Sequence, residues 1–273
     1  MGSTEAPSTA RRSLGKPPTA LDRYVAAPDT NFAWRVVSST RGSNYTTTVL
    51  RMASQAWLTT AEVDRPVWEH WLTVIRPDKV ETSVGFLFIT GGGRRPNPPS
   101  KPDDNLIRTA LQTGSVVSEL KDVPNQPIVF AGETKGRSED SLIAYTWDKY
   151  LRTGDEKWPA RLPMTKAAVR AMDAVTAFTR TAEGGAIPVE KYVVSGGSKR
   201  GWTSWTTAAV DRRVIAVVPI VIDLLNIVPS FKHHWEAYGF WAPAVGDYVR
   251  NGIMNWTGTV EYENLMKIEE PFE

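Results

Sequence analysis

The segment Tyr192-Val193-Val194-Ser195-Gly196-Gly197-Ser198-Lys199-Arg200-Gly201 constrains the fold more than any other stretch of the chain. Val193 and Val194 suit a buried strand. Gly196 and Gly201 remove side chains where a sharp turn crowds its neighbours, and Trp202 to Val210 continue as a predicted helix. A strand that turns abruptly into a helix around one serine lifts that hydroxyl clear of the sheet, which makes Ser198 the candidate nucleophile. The spacing is G-x-S-x-x-G, looser than the strict G-x-S-x-G of a nucleophile elbow. A second reading therefore stays open, in which Ser198 is a plain N-cap accepting from the first turn of the helix.

Composition narrows the chemistry. The 273 residues carry 32 Lys and Arg against 30 Asp and Glu, a net charge of +2, so no global field draws the chain to nucleic acid or an anionic membrane. Cysteine is absent, which excludes disulfides, thiolate zinc sites and a cysteine nucleophile but leaves the compartment open. No apolar run reaches the ~20 residues of a membrane span. Met1 to Pro18 are rich in Ser, Thr, Pro, Gly and Arg and lack the ~7–15 apolar residues of a secretory signal, so residues 1–18 read as a disordered leader.

Residues 19–273 read as one domain without internal repeats. Phe32 to Ser38, Tyr45 to Leu58 and His70 to Arg76 are β-branched or aromatic segments separated by turn residues, which predicts antiparallel strands. Val84 to Thr90 is nearly continuous apolar sequence ending on Gly91-Gly92-Gly93, as in a central parallel strand buried on both faces, and Gln126 to Ala131 is expected to be the next strand. Ser141 to Leu151 and Met164 to Thr181 have helical spacing; Val214 to Ile222, after the serine turn and its helix, is expected as another buried strand. This alternation predicts an α/β fold: a doubly wound, mostly parallel sheet with helices on both faces and a β-rich antiparallel N-terminal part. Residues 224–262 are aromatic and helical, as in a cap over a hydrolase pocket; Trp205, Trp235, Trp241 and Trp256 are expected mainly as core.

A serine hydrolase needs a base, an acid that orients it, and N–H donors aimed at the oxyanion. The backbone N–H of Lys199 is one donor by geometry, and the Gly91-Gly92-Gly93 loop is placed to supply another. The glycine triplet lacks the spacing of a nucleotide fingerprint, and acyl transfer to serine needs no cofactor. The base is harder to place. His70 lies before the core sheet begins, while His233 and His234 lie in the cap. Asp223 with His233 or His234 behind it is an unusual alternative acid and base pair. As metal ligands the adjacent histidines diverge and have no companions, so no metal site is expected.

Several separate motifs, in order, resemble one family. Thr19-Ala20-Leu21-Asp22, Ala131-Gly132-Glu133, Arg137-Ser138-Glu139-Asp140-Ser141-Leu142-Ile143-Ala144-Tyr145-Thr146-Trp147, Pro163-Met164-Thr165-Lys166-Ala167-Ala168-Val169-Arg170-Ala171-Met172-Asp173 and Val194 to Trp202 are similar to the PhoPQ-activated pathogenicity-related proteins. The resemblance implies an α/β-hydrolase-like fold and export to the periplasm or the exterior. It places Gly197, Ser198 and Lys199 on the nucleophile turn. In that family a core strand bearing an Asp, and then a His, follow a segment like Met266 to Pro271, whereas this chain stops at Glu273. The resemblance therefore implies a C-terminally truncated member lacking its last core strands, its usual acid and its base. The expectation is a serine hydrolase, esterase or peptidase-like, acting in full-length form on a small-molecule or peptide acyl substrate and impaired in this chain. The alternative is a non-catalytic secreted binding or signalling protein on the same scaffold.

Overall fold

The computed structural model describes residues 17–222 and 225–272. A short helix, α1 (Ala20–Ala26), precedes strands β1 (Ala33–Arg41), β2 (Tyr45–Ala56) and β3 (Val67–Pro77). Then come β4 (Val84–Ile89), α2 (Asp104–Thr113), β5 (Val117–Leu120), α3 (Glu139–Thr153) and α4 (Arg161–Thr179). β6 (Lys191–Gly197) leads into α5 (Lys199–Val210) and β7 (Val214–Ile220). The remainder is helical: α6 (Ile227–Tyr238), α7 (Gly246–Arg250) and α8 (Val260–Glu269), with 3-10 turns at Pro243–Val245 and Ile253–Trp256.

The strands form one mixed sheet in the order β1-β2-β3-β5-β4-β6-β7. Pairing is antiparallel from β1 through β5 and parallel from β5 through β7, so the predicted antiparallel half and parallel half share one sheet. Leu87 on β4 sits in register between Ser118 on β5 and Val194 on β6. Leu87, Ile89, Leu120 and Val194 join the main core, to which α3 and α4 contribute Leu142, Ile143, Met164, Met172 and Val175. On the other face Leu106 and Ala110 of α2 pack over Ile75 and Val117, with Phe86 and Phe88 only partly buried beside them. β4 is thus central, but its two faces are unequally dry. α4 is buried nearly all round, 15 of its 19 residues, because it is enclosed by α1, β2 and α5; the sequence shows only its apolar stripe.

Two strand expectations need correction. The strand beside β4 is Val117–Leu120, and Gln126 to Ala131 is an irregular segment with isolated bridges only, Gly93 to Gln126, Ile128 to Arg137 and Val63 to Phe130. Pro127 removes a ladder donor within it. β7 is not buried: among the described residues it is the sheet edge, paired only with β6, and Ile215, Val218 and Ile220 are 55%, 49% and 42% exposed. In the cap region Trp241 and Trp256 pack partly buried against the core, but Trp235 is about half exposed and is not core. No helix among the described residues is long and apolar enough to cross a membrane. The predicted leader falls largely on residues 1–16, outside the described residues.

Candidate active site

Ser198 stands at the junction of β6 and α5 with φ 54° and ψ −125°, and it is exposed. Its N–H donates to the Ile220 carbonyl (2.8 Å) and its carbonyl accepts from Trp202 N–H (3.0 Å). An N-cap residue occupies the β region and accepts from the first turn through its side chain. Ser198 does neither: its hydroxyl makes no capping hydrogen bond. The two glycines account for the tightness of the turn. A Cβ on Gly196 would come within 2.7 Å of the Arg200 carbonyl group, and one on Gly201 within 2.3 Å of Ile222 Cγ2 and 2.8 Å of the Gly196 carbonyl.

The first turn of α5 begins with two cations, Lys199 and Arg200, at the end of the helix where its dipole already places positive charge. Acidic groups from the start of α3 offset them. Glu139 receives both terminal nitrogens of Arg200 and the Lys199 ammonium, the latter at 2.8 Å, and Asp140 takes the same ammonium at 3.1 Å. Burial alone would raise the Glu139 carboxyl, but hydrogen bonds from Arg200, Lys199 and Gln126 outweigh it and hold the pKa down at about 2. Tyr248 on α7 donates to Asp140 (3.4 Å), so the cap region touches the same cluster. Beneath it, the Lys199 carbonyl accepts from buried Arg161 (2.9 Å).

The glycine loop meets this cluster from the other side. Gly91 lies against the Arg200 guanidinium, where a Cβ would approach Nη2 to 2.1 Å, and Arg200 Nε donates to the Val123 carbonyl (2.6 Å). The Gly91 carbonyl accepts from Asp122 N–H (3.4 Å) and the Gly92 carbonyl from Gln126 Nε2 (3.3 Å). Seven described non-glycine residues have positive φ, and three of them, Asp122, Glu139 and Ser198, belong to this one assembly. Such backbone costs on the order of 1–3 kcal/mol per residue and gathers at sites where chemistry is done.

The histidines lie elsewhere. His70 is fully buried, bonded to Ser54 Oγ and the Lys121 carbonyl at 3.0 Å each. His234 accepts from Ala242 N–H through Nε2 (3.1 Å) and stacks on Trp241, while His233 is exposed. Among the described residues, no hydrogen bond joins either cap histidine to Ser198. Asp223 lies outside the described residues. No group of three or more acidic or histidine side chains among the described residues is arranged to hold a metal ion.

The sequence model of the PhoPQ-activated pathogenicity-related protein family matches residues 21–273. The chain belongs to this family. A curated relative, autocrine proliferation repressor protein A of Dictyostelium discoideum, is 40% identical over 256 residues, 93% of this chain and 51% of the relative. The chain thus spans about half the length of that relative. Among solved structures, acetyl xylan esterase from Paenibacillus sp. R4 superposes with TM-score 0.55 at 14% identity, covering 93% of this chain and 71% of the esterase. Acetyl xylan esterase 1 from Thermoanaerobacterium sp. JW/SL YS485 gives TM-score 0.50 at 15% identity, covering 93% and 69%. At these identities the likeness establishes an α/β fold of the esterase type and no more.

Within this family member, the pattern around Ser198 points to the turn but not to its surroundings. Asp122, Gln126, Glu139, Asp140 and Arg161 have no spacing relation to the serine. The available signal is charge: two adjacent cations that become 8% and 9% exposed in a folded domain require acidic partners, and Glu139-Asp140 is an adjacent acidic pair.

Proposed function

We propose that the protein in full-length form is a serine hydrolase in which Ser198 attacks the acyl carbon of a small-molecule or peptide ester or amide. The observation that carries this reading is the exposed, strained Ser198 held in one hydrogen-bonded assembly with two other left-handed residues, Asp122 and Glu139. As the C–O bond forms, the hydroxyl proton passes to a base and the carbonyl oxygen gains negative charge. Lys199 N–H, at the positive end of α5, and the Gly91-Gly92 loop stabilise that charge. The alcohol or amine then leaves with a proton, and water releases the acyl group from Ser198. Among the described histidines, His70 is enclosed and Nε2 of His234 is taken by Ala242 N–H, so neither serves as the base in this reading. Ser198→Ala is expected to abolish turnover of a simple acyl ester by the full-length protein; unchanged turnover overturns the assignment.

A second reading is favoured by the placement of the histidines and by the name of the curated relative, an autocrine proliferation repressor protein. In it the chain is an exported, non-catalytic binding protein that keeps the turn as scaffold. Fluorophosphonate labelling of the full-length protein separates the two, since only an activated Ser198 hydroxyl reacts.

A further inference from the structure

We propose that Glu139 is the positioning residue that fixes the glycine loop relative to the nucleophile turn; this rests on reading Ser198 as nucleophile and the loop as an oxyanion donor. A trans peptide points its N–H opposite its carbonyl, so whatever holds the carbonyls of Gly91 and Gly92 sets the direction of the N–H groups of Gly92 and Gly93. Those carbonyls are held by Asp122 N–H and by the Gln126 side chain.

Gln126 is itself held by Glu139. Its Nε2 donates to Glu139 Oε1 as well as to Gly92, and its Oε1 accepts from Glu139 N–H at 2.7 Å. The same carboxylate grips Arg200 through both terminal nitrogens and Lys199 through its ammonium, the two residues that follow Ser198. Arg200 in turn is seated against Gly91 and bonded to Val123. A continuous path therefore runs from the Gly92 carbonyl through Gln126 and Glu139 to the first turn of α5.

A merely structural role and a positioning role at Glu139 predict different outcomes. Glu139 keeps φ 55°, a strained backbone for a residue with a Cβ. Its side chain is 39% exposed and is the shared partner of Lys199 and Arg200, which are 8% and 9% exposed. It therefore compensates two nearly buried cations and also holds Gln126; compensation alone affects stability, whereas positioning also affects kcat and loop exchange.

The test uses the full-length protein with Glu139→Gln, which keeps the shape and removes the charge, and Glu139→Gly, which removes the side chain and relieves the backbone. The readouts are kcat and KM on p-nitrophenyl acetate and hydrogen exchange at the Gly92 and Gly93 amides. Both variants are expected to lower kcat about tenfold with KM within about twofold, less than loss of a whole oxyanion donor, and to quicken exchange in the loop. Unchanged kcat, or a fall in kcat with unchanged exchange, overturns the proposal. If Ser198→Ala shows that Ser198 is not the nucleophile, exchange alone decides: faster exchange upholds the coupling and unchanged exchange ends it.

Discussion

Arg161 Nε and Glu269 Oε2 lie 3.1 Å apart with neither side chain exposed to solvent. Arg161 also donates to Thr203 Oγ1 (3.0 Å) and lies over the Trp202 ring (4.5 Å), and Trp202 Nε1 donates to the Glu269 carbonyl (2.6 Å). The pair thereby joins the end of α8 to the first turn of α5. Burial pushes the Glu269 carboxyl up, with Arg161 opposing it. Arg161→Met leaves that carboxylate buried without its cation and is expected to cost about 3–5 kcal/mol in urea unfolding. Arg161→Met combined with Glu269→Met should recover most of the loss; a double variant as unstable as the single one counts against this account.

The sheet and the serine turn were legible because their signals are local. The β-branched and aromatic content of β2 and β3, the apolar run of β4 and the Gly196, Ser198, Gly201 spacing each report on a few neighbouring residues. β7 shows the limit. Its apolar sequence equally suits a central or an edge strand, and only its pairing partners decide. Gln126 illustrates a different failure. Its β-branched neighbours suggest a strand, but Pro127 removes a ladder donor, and the Gln126 amide instead joins Gly92 to Glu139. Likewise the partners of Lys199 and Arg200 come from about 60 residues away, a relation no local period encodes.

Asp122 combines φ 64° with near-complete burial, and its Oδ2 has no hydrogen-bond partner among the described residues. Burial raises its pKa to about 6, against the opposing pull of Arg51, Arg95, Lys121 and Arg94. A raised carboxyl means the folded state holds the proton more tightly than the unfolded one. The associated stability is complete below the unfolded value near 4 and is lost as pH rises through about 6. Asn carries no charge and tolerates left-handed backbone. Asp122→Asn should therefore stabilise the protein by roughly 2 kcal/mol at pH 8, with the gain vanishing at pH 4. Urea midpoints at pH 4, 6 and 8 provide the check, and a pH-independent difference refutes the assignment.

His70 is expected to behave as a neutral structural residue. The Lys121 carbonyl requires a proton on Nδ1, leaving Nε2 to accept from the Ser54 hydroxyl. Burial lowers the ring pKa to about 4, only partly offset by the Lys121 carbonyl. Because the unfolded chain binds the proton first, this contribution to stability is present above about 6.5 and is lost as pH falls toward 4. The His70 ring resonances should stay fixed down to about pH 5 and titrate near 4; a midpoint near 6.5 excludes the buried neutral state.

Ser198 offers the sharpest test of what its side chain is for. Its φ of 54° and ψ of −125° strain any residue with a Cβ, at a cost of about 1–3 kcal/mol, while glycine adopts them freely. Glycine also makes the unfolded chain more flexible, which returns about 0.5–1 kcal/mol of that gain. Ser198→Gly is therefore expected to stabilise the fold by about 1 kcal/mol, and Ser198→Ala, which keeps the strain and loses no capping bond, to change it by less than about 0.5 kcal/mol. A capping serine behaves in the opposite way, with alanine costing about 1 kcal/mol. Urea unfolding of the two variants beside the parent distinguishes these cases. A loss in Ser198→Ala without a gain in Ser198→Gly would return the hydroxyl to a structural role and remove the main support for Ser198 as nucleophile.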